Sequence, residues 1–238
     1  MKETLFIAHR GYSRYEKENT LVAFSAAGTI DDFYGIETDV HVTNDGKYIT
    51  IHDETTDRVT GNRVNLNVEN NNFEIVSKVR LEDVDGTYTR HDLVIPEMYD
   101  YFKICKKYNK VAVLELKQLF THEQVQEIYD IIKKLDMLDN TIFISFILED
   151  LIELRKIDQK QKAQMLLCEF KDEYIEPLVK NNLDVDCYFN NISKEQIKAC
   201  HDNGIKVNVW TVDDINDAKR MIEYGVDFIT SNHIHRID

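Results

Sequence analysis

Short apolar runs alternate with helix-like stretches along nearly the whole chain. Runs rich in Val, Ile, Leu and Phe predict strands at 4–8, 35–42, 111–117, 141–146, 163–169, 185–190, 206–212 and 226–231. Apolar residues at helical spacing predict helices at 20–29, 96–108, 123–135, 149–157, 173–180, 194–203 and 214–224. This alternation is typical of an α/β fold. Eight repeats at this length favour a single closed (β/α)8 TIM barrel over an open doubly wound sheet.

Local signals mark the ends of two of these helices. Pro96 suits the first helical position of the segment at 96–108. Ser193, three residues before Gln196, predicts a capping box, and Gly204 suits the left-handed residue that follows a helix.

One segment interrupts the alternation after the second strand. Asn44-Asp45-Gly46 predicts a tight turn, and 47–52 follows as the returning arm of a hairpin. Residues 54–95 have no clear helical period, and we interpret them as a small insertion, either a functional lid or a tolerated surface segment. Because no Gly/Pro-rich linker occurs, the sequence predicts one domain over residues 1–238.

Charged residues on the second and third strands are unexpected for buried parallel strands, which usually read as continuous apolar runs. Strand alternation puts Glu37, Asp39 and His41 on one face of the second strand. On the third strand, Glu115 and Lys117 follow two valines on the same face. This change toward the carboxyl end predicts a packed barrel bottom that opens into a polar mouth.

Three carboxylates inside one barrel would repel one another and would be costly to bury unpaired. One divalent cation bound by Glu37, Asp39 and Glu115 would resolve this, and carboxylate oxygens suit Mg²⁺ or Ca²⁺. The alternative is a ladder of ion pairs. The acids outnumber the cationic residues on these strands, which favours the metal, and we do not count His41 as a ligand.

Charge and composition narrow the class of protein. The 238 residues include 29 Lys and Arg against 43 Asp and Glu, which gives a formal net charge of −14. Such a charge argues against nucleic-acid binding, because binders of that kind need dense positive charge on one face. An anionic substrate would need local positive charge, such as a metal ion with Arg10 and Lys117.

The same sequence argues against insertion into a membrane. No apolar run approaches the roughly 20 residues that span a bilayer, and the start lacks the apolar stretch of a secretory signal. We therefore expect a cytoplasmic protein. The widely spaced cysteines predict buried free thiols rather than disulfides or a zinc site; they are Cys105, Cys168, Cys187 and Cys200.

Two histidines lie at strand ends beside the predicted carboxylate cluster. His9 closes the first strand, and His52 closes the hairpin arm. Their joint position favours acid–base chemistry near neutral pH. Arg10 offers two parallel N–H groups to a phosphate, and Gly11 would let the backbone approach a ligand closely.

Several polar motifs follow one another in order across nearly the whole chain. They are His9-Arg10-Gly11, Glu18-Asn19-Thr20, Glu37-x-Asp39-Val40, Thr43-x-Asp45-Gly46, His52-Asp53-x-Thr55, Asp57-Arg58, Ile95-Pro96, Glu115-x-Lys117 and Trp210-Thr211-Val212. In this ordered set the chain resembles the glycerophosphodiester phosphodiesterase family of metal-dependent (β/α)8 barrels.

The resemblance implies metal ligands, an acid/base pair, substrate contacts and supporting residues. By this resemblance, the metal ligands are Glu37, Asp39 and Glu115, and the acid/base pair is His9 and His52. The substrate contacts are Arg10, Lys117 and Trp210, and the supporting residues are Glu18 and Asn19. Trp210 could equally be an aromatic residue of the barrel core. Two positions depart from the family pattern: Lys17 replaces a proline, and Thr230-Ser231-Asn232-His233 replaces a Thr-Asp motif followed by proline.

The resemblance implies hydrolysis of glycerophosphodiesters, as small-molecule substrates, to sn-glycerol 3-phosphate and an alcohol. One alternative is a lysophospholipase D acting on lipids, which the polar composition of 54–95 disfavours. The other is a barrel that binds phosphodiesters without turnover, which the presence of both histidines disfavours. The sequence leaves open the preferred metal, the roles of the two histidines as acid or base, and a homo-oligomeric state.

Overall fold

A ring of parallel strands forms the centre of the computed structural model, which describes residues 3–237. The strands in this range are β1 (Leu5–Ala8), β2 (Phe33–Val42), β3 (Tyr48–Thr50), β4 (Val111–Leu116), β5 (Thr141–Ser145), β6 (Ala163–Leu167), β7 (Asp184–Tyr188), β8 (Val207–Trp210) and β9 (Phe228–Ser231). The ring runs β1-β9-β8-β7-β6-β5-β4-β2, and β1 pairs with β2 to close it. The predicted (β/α)8 barrel is confirmed.

Helices connect the strands on the outside of the ring. Those between residues 3 and 237 are α1 (Leu21–Gly28), α2 (Phe73–Val76), α3 (Met98–Lys107), α4 (His122–Lys134), α5 (Leu148–Ile157), α6 (Ile175–Lys180), α7 (Lys194–Asp202) and α8 (Ile215–Tyr224). Apart from the short α2, each matches a predicted helix to within two residues at either end. None of these helices combines the length and apolar character needed to cross a bilayer.

The predicted helix ends are correct at α7 and wrong at α3. Ser193 Oγ accepts a hydrogen bond from the Gln196 amide at 3.2 Å, and the Gln196 side chain accepts one from the Ser193 amide at 3.0 Å. Gly204 follows α7 with φ +77°. Pro96, however, lies before α3, because its carbonyl accepts a hydrogen bond from Thr50 of β3 at 3.0 Å and holds the chain extended there.

The barrel interior is apolar at the bottom and polar at the mouth. The buried apolar residues of the interior are Ile7, Val111, Val113, Ile142, Ile144, Leu166 and Phe228, and among them Ile144 lies level with Glu115 near the mouth. Glu37 of β2 lies beside Val113 of β4, and Asp39 lies beside Glu115, so β2 turns acidic two residues before β4 does. This is the predicted change from packed bottom to polar mouth.

The hairpin and the insertion lie beside β2. β3 pairs antiparallel with β2, as predicted for the returning arm. Residues 54–95 contain only α2 and a 3-10 turn at Arg58–Thr60 as helical elements, yet they bury an apolar cluster. Its members are Ile49, Ile51, Val59, Val68, Val76, Val79, Leu81, Leu93 and Ile95. The segment is therefore anchored on the hairpin, and the single domain of residues 1–238 stays a prediction.

The cysteine prediction is correct for three residues and wrong for one. All four thiols are free, and Cys105, Cys187 and Cys200 are buried. Cys168 is exposed, because it follows the end of β6, where the chain leaves the barrel wall.

Candidate active site

Three carboxylates converge at the barrel mouth, as predicted from strand alternation. Glu37 and Asp39 of β2 and Glu115 of β4 are each less than a tenth exposed. Each offers an oxygen, and these oxygens all lie within 4.8 Å of one another. The pairing of Asp39 with Glu115 in the parallel register brings the two strands' acids side by side.

The pKa values of these carboxyls indicate that the cluster has too little positive charge nearby to keep all three ionised. Burial, and then the charge of Asp39, raises the pKa of Glu37 well above its usual range and that of Glu115 to about 8. Burial also acts to raise the pKa of Asp39, but the charges of Arg10 and Lys117 outweigh it and leave the pKa below its usual range. Asp39 Oδ1 is buried and has no hydrogen-bond partner within residues 3–237. A cluster of acidic oxygens, one of which accepts no hydrogen bond, fits a divalent cation.

Arg10 and Lys117 contact the same carboxylates. Arg10 Nε lies 3.2 Å from Asp39 Oδ2, and the Arg10 amide donates to Glu37 Oε2 at 2.8 Å. Lys117 Nζ lies 2.8 Å from Glu115 Oε1 and 3.7 Å from Asp39 Oδ1. The mouth thus contains more acidic than basic side chains, and its basic side chains form ion pairs with the acidic ones.

Glu18 and Asn19 hold this arrangement from the loop after β1. Asn19 Nδ2 donates to Asp39 Oδ2 at 2.7 Å, while Asn19 Oδ1 accepts from the Thr38 hydroxyl at 2.8 Å. Glu18 Oε1 accepts from Arg10 Nη1 at 2.9 Å. Asn19 fixes the Asp39 carboxylate, and Glu18 fixes the Arg10 guanidinium beside it.

His9 lies at the end of β1, where its amide donates to the Ser231 carbonyl of β9 at 2.9 Å. Its Nδ1 lies 2.8 Å from Asn232 Oδ1. Burial, together with the nearby charge of Arg10, lowers the pKa of His9 to about 4, so its imidazole is neutral at physiological pH.

His52 is oriented by a chain of charged side chains. Its Nδ1 lies 2.6 Å from Asp53 Oδ1, and Asp53 Oδ2 accepts from Arg58 Nε. Arg58 in turn donates two hydrogen bonds to Glu18, at 2.8 and 2.9 Å. Burial lowers the pKa of His52, although the charge of Asp39 acts to raise it. Arg58 belongs to the insertion, so this segment takes part in organising the mouth.

A cavity of about 90 Å³ connects these groups. The residues that line it are His9, Arg10, Glu37, His52, Glu115, Lys117, Ile144, Phe146, Leu166, Asp186, Trp210, Thr211 and Thr230. Trp210 packs against Phe146 and Tyr188, each at 5.7 Å between ring centroids, and its Nε1 donates to the Asp186 carbonyl at 3.3 Å. It is therefore both a cavity wall and a packed aromatic residue.

Gly11 differs in role from its sequence interpretation, whereas His41, which is not counted as a ligand, lies outside the acidic cluster as expected. Gly11 has φ +83°, and a Cβ there would lie 2.6 Å from the Ala23 backbone, so it makes room for α1 rather than for a ligand. His41 does not join the acidic cluster. Its Nε2 lies 3.2 Å from the His52 carbonyl, and its Nδ1 lies 3.4 Å from Glu69 of the insertion.

Sequence reasoning missed Asp186 and the contact of Asn232 with His9. Asp186 is 2% exposed, lines the cavity, and has its pKa raised by burial and then by Glu115. The signal was present, because this acid lies between buried Val185 and Cys187 on a predicted strand. Asn232 stood out only as a departure from the family pattern, and no local spacing connects it to His9.

Comparison with known proteins decides the family. Residues 9–236 match the Glycerophosphoryl diester phosphodiesterase family. This chain belongs to that family. A glycerophosphodiester phosphodiesterase of Caldanaerobacter subterraneus subsp. tengcongensis is 30% identical over 97% of this chain and 94% of its own length. The family assignment makes the chain an enzyme, a phosphoric diester hydrolase.

Solved structures of similar proteins share the fold. A glycerophosphodiester phosphodiesterase from Parabacteroides distasonis is 25% identical, with a TM-score of 0.80 over 97% of this chain and 93% of that chain. A phosphodiesterase from Oleispira antarctica, solved in complex with sn-glycerol-3-phosphate, is 20% identical, with a TM-score of 0.88 over 97% of this chain and 94% of that chain. These likenesses agree with the closed barrel described above.

Proposed function

We propose that this enzyme hydrolyses glycerophosphodiesters to sn-glycerol 3-phosphate and an alcohol, with a divalent metal and two histidines. One observation carries the proposal: both imidazoles and two carboxylates of the acidic cluster, Glu37 and Glu115, border the same cavity at the carboxyl ends of the barrel strands, with Asp39 beside them. The family and the 30% identical relative support the reaction class.

Glu37, Asp39 and Glu115 would hold the metal. Their clustered oxygens suit Mg²⁺ or Ca²⁺, both of which prefer carboxylate ligands. When bound, the cation supplies stabilisation for negative charge on the phosphate. Glu37 and Glu115, whose pKa values are raised in its absence, would then be ionised as ligands.

Arg10 and Lys117 would bind the phosphate oxygens. Both line the cavity, and their contacts with Asp39, Glu18 and Glu115 hold them at its edge. A guanidinium has five N–H donors, so those of Arg10 that do not face Asp39 and Glu18 remain for a ligand.

His9 and His52 would move the protons. One imidazole takes a proton from the attacking oxygen as the new oxygen–phosphorus bond forms. The other gives a proton to the leaving alcohol oxygen as its bond to phosphorus breaks. The attacking oxygen is either that of water or that of the adjacent hydroxyl of the substrate. Attack by the hydroxyl forms a cyclic phosphate, which water then opens. Each histidine has Nδ1 engaged by a neighbour, which leaves Nε2 for this exchange.

Replacing each histidine tests the assignment. We expect His9→Ala and His52→Ala each to lower kcat for glycerophosphocholine by roughly 10²–10⁴-fold, because each removes one proton-transfer group. The assay measures released choline and glycerol 3-phosphate, and calorimetry measures metal affinity, which should persist. His122→Ala is the matched control, because His122 is exposed on α4 and pairs with Glu153.

The same assay separates the alternatives. A higher kcat/KM for a lysophospholipid than for glycerophosphocholine would favour the lipid-directed activity. Binding of glycerophosphocholine without turnover would favour a phosphodiester-binding barrel. Near wild-type turnover by either histidine variant would contradict the role given to that histidine.

A further inference from the structure

The side-chain amide of Asn232 lies between His9 and an aspartate from another loop. Asn232 Oδ1 is 2.8 Å from His9 Nδ1 and 2.7 Å from Ser13 Oγ. On the other side, Asn232 Nδ2 is 2.5 Å from Asp213 Oδ2. Asp213 follows β8 and Asn232 follows β9, so the amide joins three neighbouring strand ends of the barrel mouth.

Chemistry fixes the direction of each hydrogen bond in this chain. An ionised carboxylate only accepts, so Asp213 must face the NH₂ group of the Asn232 amide and not its oxygen. Asp213 Oδ1 also accepts from the Asn232 backbone amide at 2.8 Å and from the Ser231 hydroxyl at 3.0 Å, which secures its orientation. The amide oxygen of Asn232 is thereby turned toward His9.

The orientation of that oxygen determines where the His9 proton lies. Two acceptors 2.8 Å apart would repel, so His9 Nδ1 must carry hydrogen and donate to Asn232 Oδ1. A neutral imidazole has one N–H, so Nε2 then carries the free lone pair. Because His9 lines the cavity and its Nδ1 is engaged, Nε2 is the nitrogen that a substrate can meet.

We propose that Asn232, held in place by Asp213, is a positioning residue that fixes His9 in the Nδ1–H tautomer, with Nε2 presented to the substrate. This inference rests on the proposed function, in which His9 exchanges a proton through Nε2. It adds two residues to which the family resemblance gave no role. It also gives the two histidines different partners, because a neutral amide contacts His9 while the Asp53 carboxylate contacts His52.

Nitrogen-15 spectra of the histidine side chains test the tautomer without reference to activity. In wild-type protein at pH 7.5, His9, identified by the signal lost in His9→Gln, should show a protonated Nδ1 and an unprotonated Nε2. In Asn232→Ala both nitrogens should move toward intermediate shifts, because the tautomer is no longer selected. Asn190→Ala, which removes an exposed amide on the loop after β7 that contacts Arg220, should leave the His9 signals unchanged.

The kinetics of variants at Asn232 and Asp213 test whether the orientation of the Asn232 amide matters for turnover. We expect Asn232→Ala to lower kcat for glycerophosphocholine by about tenfold or more, with KM nearly unchanged. The loss should not exceed the roughly 10²–10⁴-fold rate contribution of a proton-transfer group. Asn232→Asp should also lose activity, because it places a second carboxylate against Asp213. The double variant Asn232→Asp/Asp213→Asn restores a donor facing an acceptor, and it should recover much of the lost kcat.

The outcomes separate this proposal from the proposed function. A protonated Nε2 on wild-type His9, or unchanged tautomer signals in Asn232→Ala, would overturn the positioning role. A double variant no more active than Asn232→Asp, although it unfolds at the wild-type temperature, would also overturn it. If wild-type protein shows the expected tautomer and its loss in Asn232→Ala but turns over no glycerophosphodiester, then the proposed function fails and the tautomer assignment stands.

Discussion

At the scale of single residues, the pKa values of three carboxyls in the same cluster differ because their neighbours differ. Asp39 lies within reach of both Arg10 and Lys117, and its pKa stays below the usual range. Glu37 and Glu115 are buried beside Asp39, and their pKa values are raised. A bound cation removes this conflict, since it favours the ionised form of all three.

Removing one of these carboxylates should weaken metal binding. We expect Glu115→Gln to lower the affinity for Mg²⁺ or Ca²⁺ by more than about tenfold. Loss of a residue that only hydrogen-bonds a metal ligand typically lowers metal affinity by about tenfold or more, and loss of the ligand itself should lower it at least as much. Calorimetric titration of each metal measures this. Glu123→Gln, an exposed change on α4, is the control. Equal affinity in Glu115→Gln and wild type would remove Glu115 from the ligand set.

Strand alternation predicted this cluster because all three acids interrupt apolar strands at regular spacing. It did not predict the partner of His9, because Asn232 lies 223 residues away and meets it only when β9 pairs with β1. Asp186 was missed for a different reason. Its position was visible, but the other acid of β7, Asp184, is the first residue of the strand, so Asp186 had no second acid beside it at the mouth.

At the scale of secondary-structure elements, Asp150 connects α5 to β5 and to the loop before α4. It lies in the first turn of α5 and is fully buried. Its carboxylate accepts from the Phe120 amide, in the loop before α4, at 2.9 Å and from the Ser145 hydroxyl of β5 at 3.2 Å. Burial raises the pKa of Asp150 to about 6.

This shift predicts a pH dependence of stability. Between about pH 4 and 6 the folded protein holds a proton on Asp150 that the unfolded chain has released. The contribution of Asp150 to the free energy of unfolding therefore falls as pH rises through that range. A side-chain amide in place of this carboxyl could keep both hydrogen bonds without ionising. Asp150→Asn should therefore gain up to about 3 kcal/mol in unfolding free energy, relative to wild type, between pH 4 and 7.

Urea unfolding of both proteins across this pH range measures the difference. Glu149→Gln, its exposed neighbour on the same helix turn, should follow wild type. Parallel curves for Asp150→Asn and wild type would show that the buried carboxyl does not titrate differently in the folded state.

The helices and strands were predictable to within about two residues because their apolar spacing and caps are local. Pro96 was not predicted correctly as the first helical residue, because its carbonyl accepts a hydrogen bond from β3 and α3 begins two residues later, at Met98. The arrangement of 54–95 was also beyond sequence reasoning. Its buried cluster forms from apolar residues scattered through an irregular segment, without helical or strand periodicity.

At the scale of the whole molecule, the barrel brings distant charges to one end of an acidic protein. The formal net charge is −14, yet the mouth must accept an anionic phosphodiester. Arg10 and Lys117 supply two positive charges among the acids Glu37, Asp39, Glu115 and Asp186. A divalent cation is the remaining source of positive charge that the cluster itself would bind, so turnover should depend on it.

The most direct test measures choline release from glycerophosphocholine by wild-type protein dialysed exhaustively against a chelator. We expect turnover to fall to background and to return when Mg²⁺ or Ca²⁺ is added, while Glu115→Gln stays inactive at the same metal concentration. Full turnover by dialysed protein, with residual metal far below the protein concentration, would contradict the account.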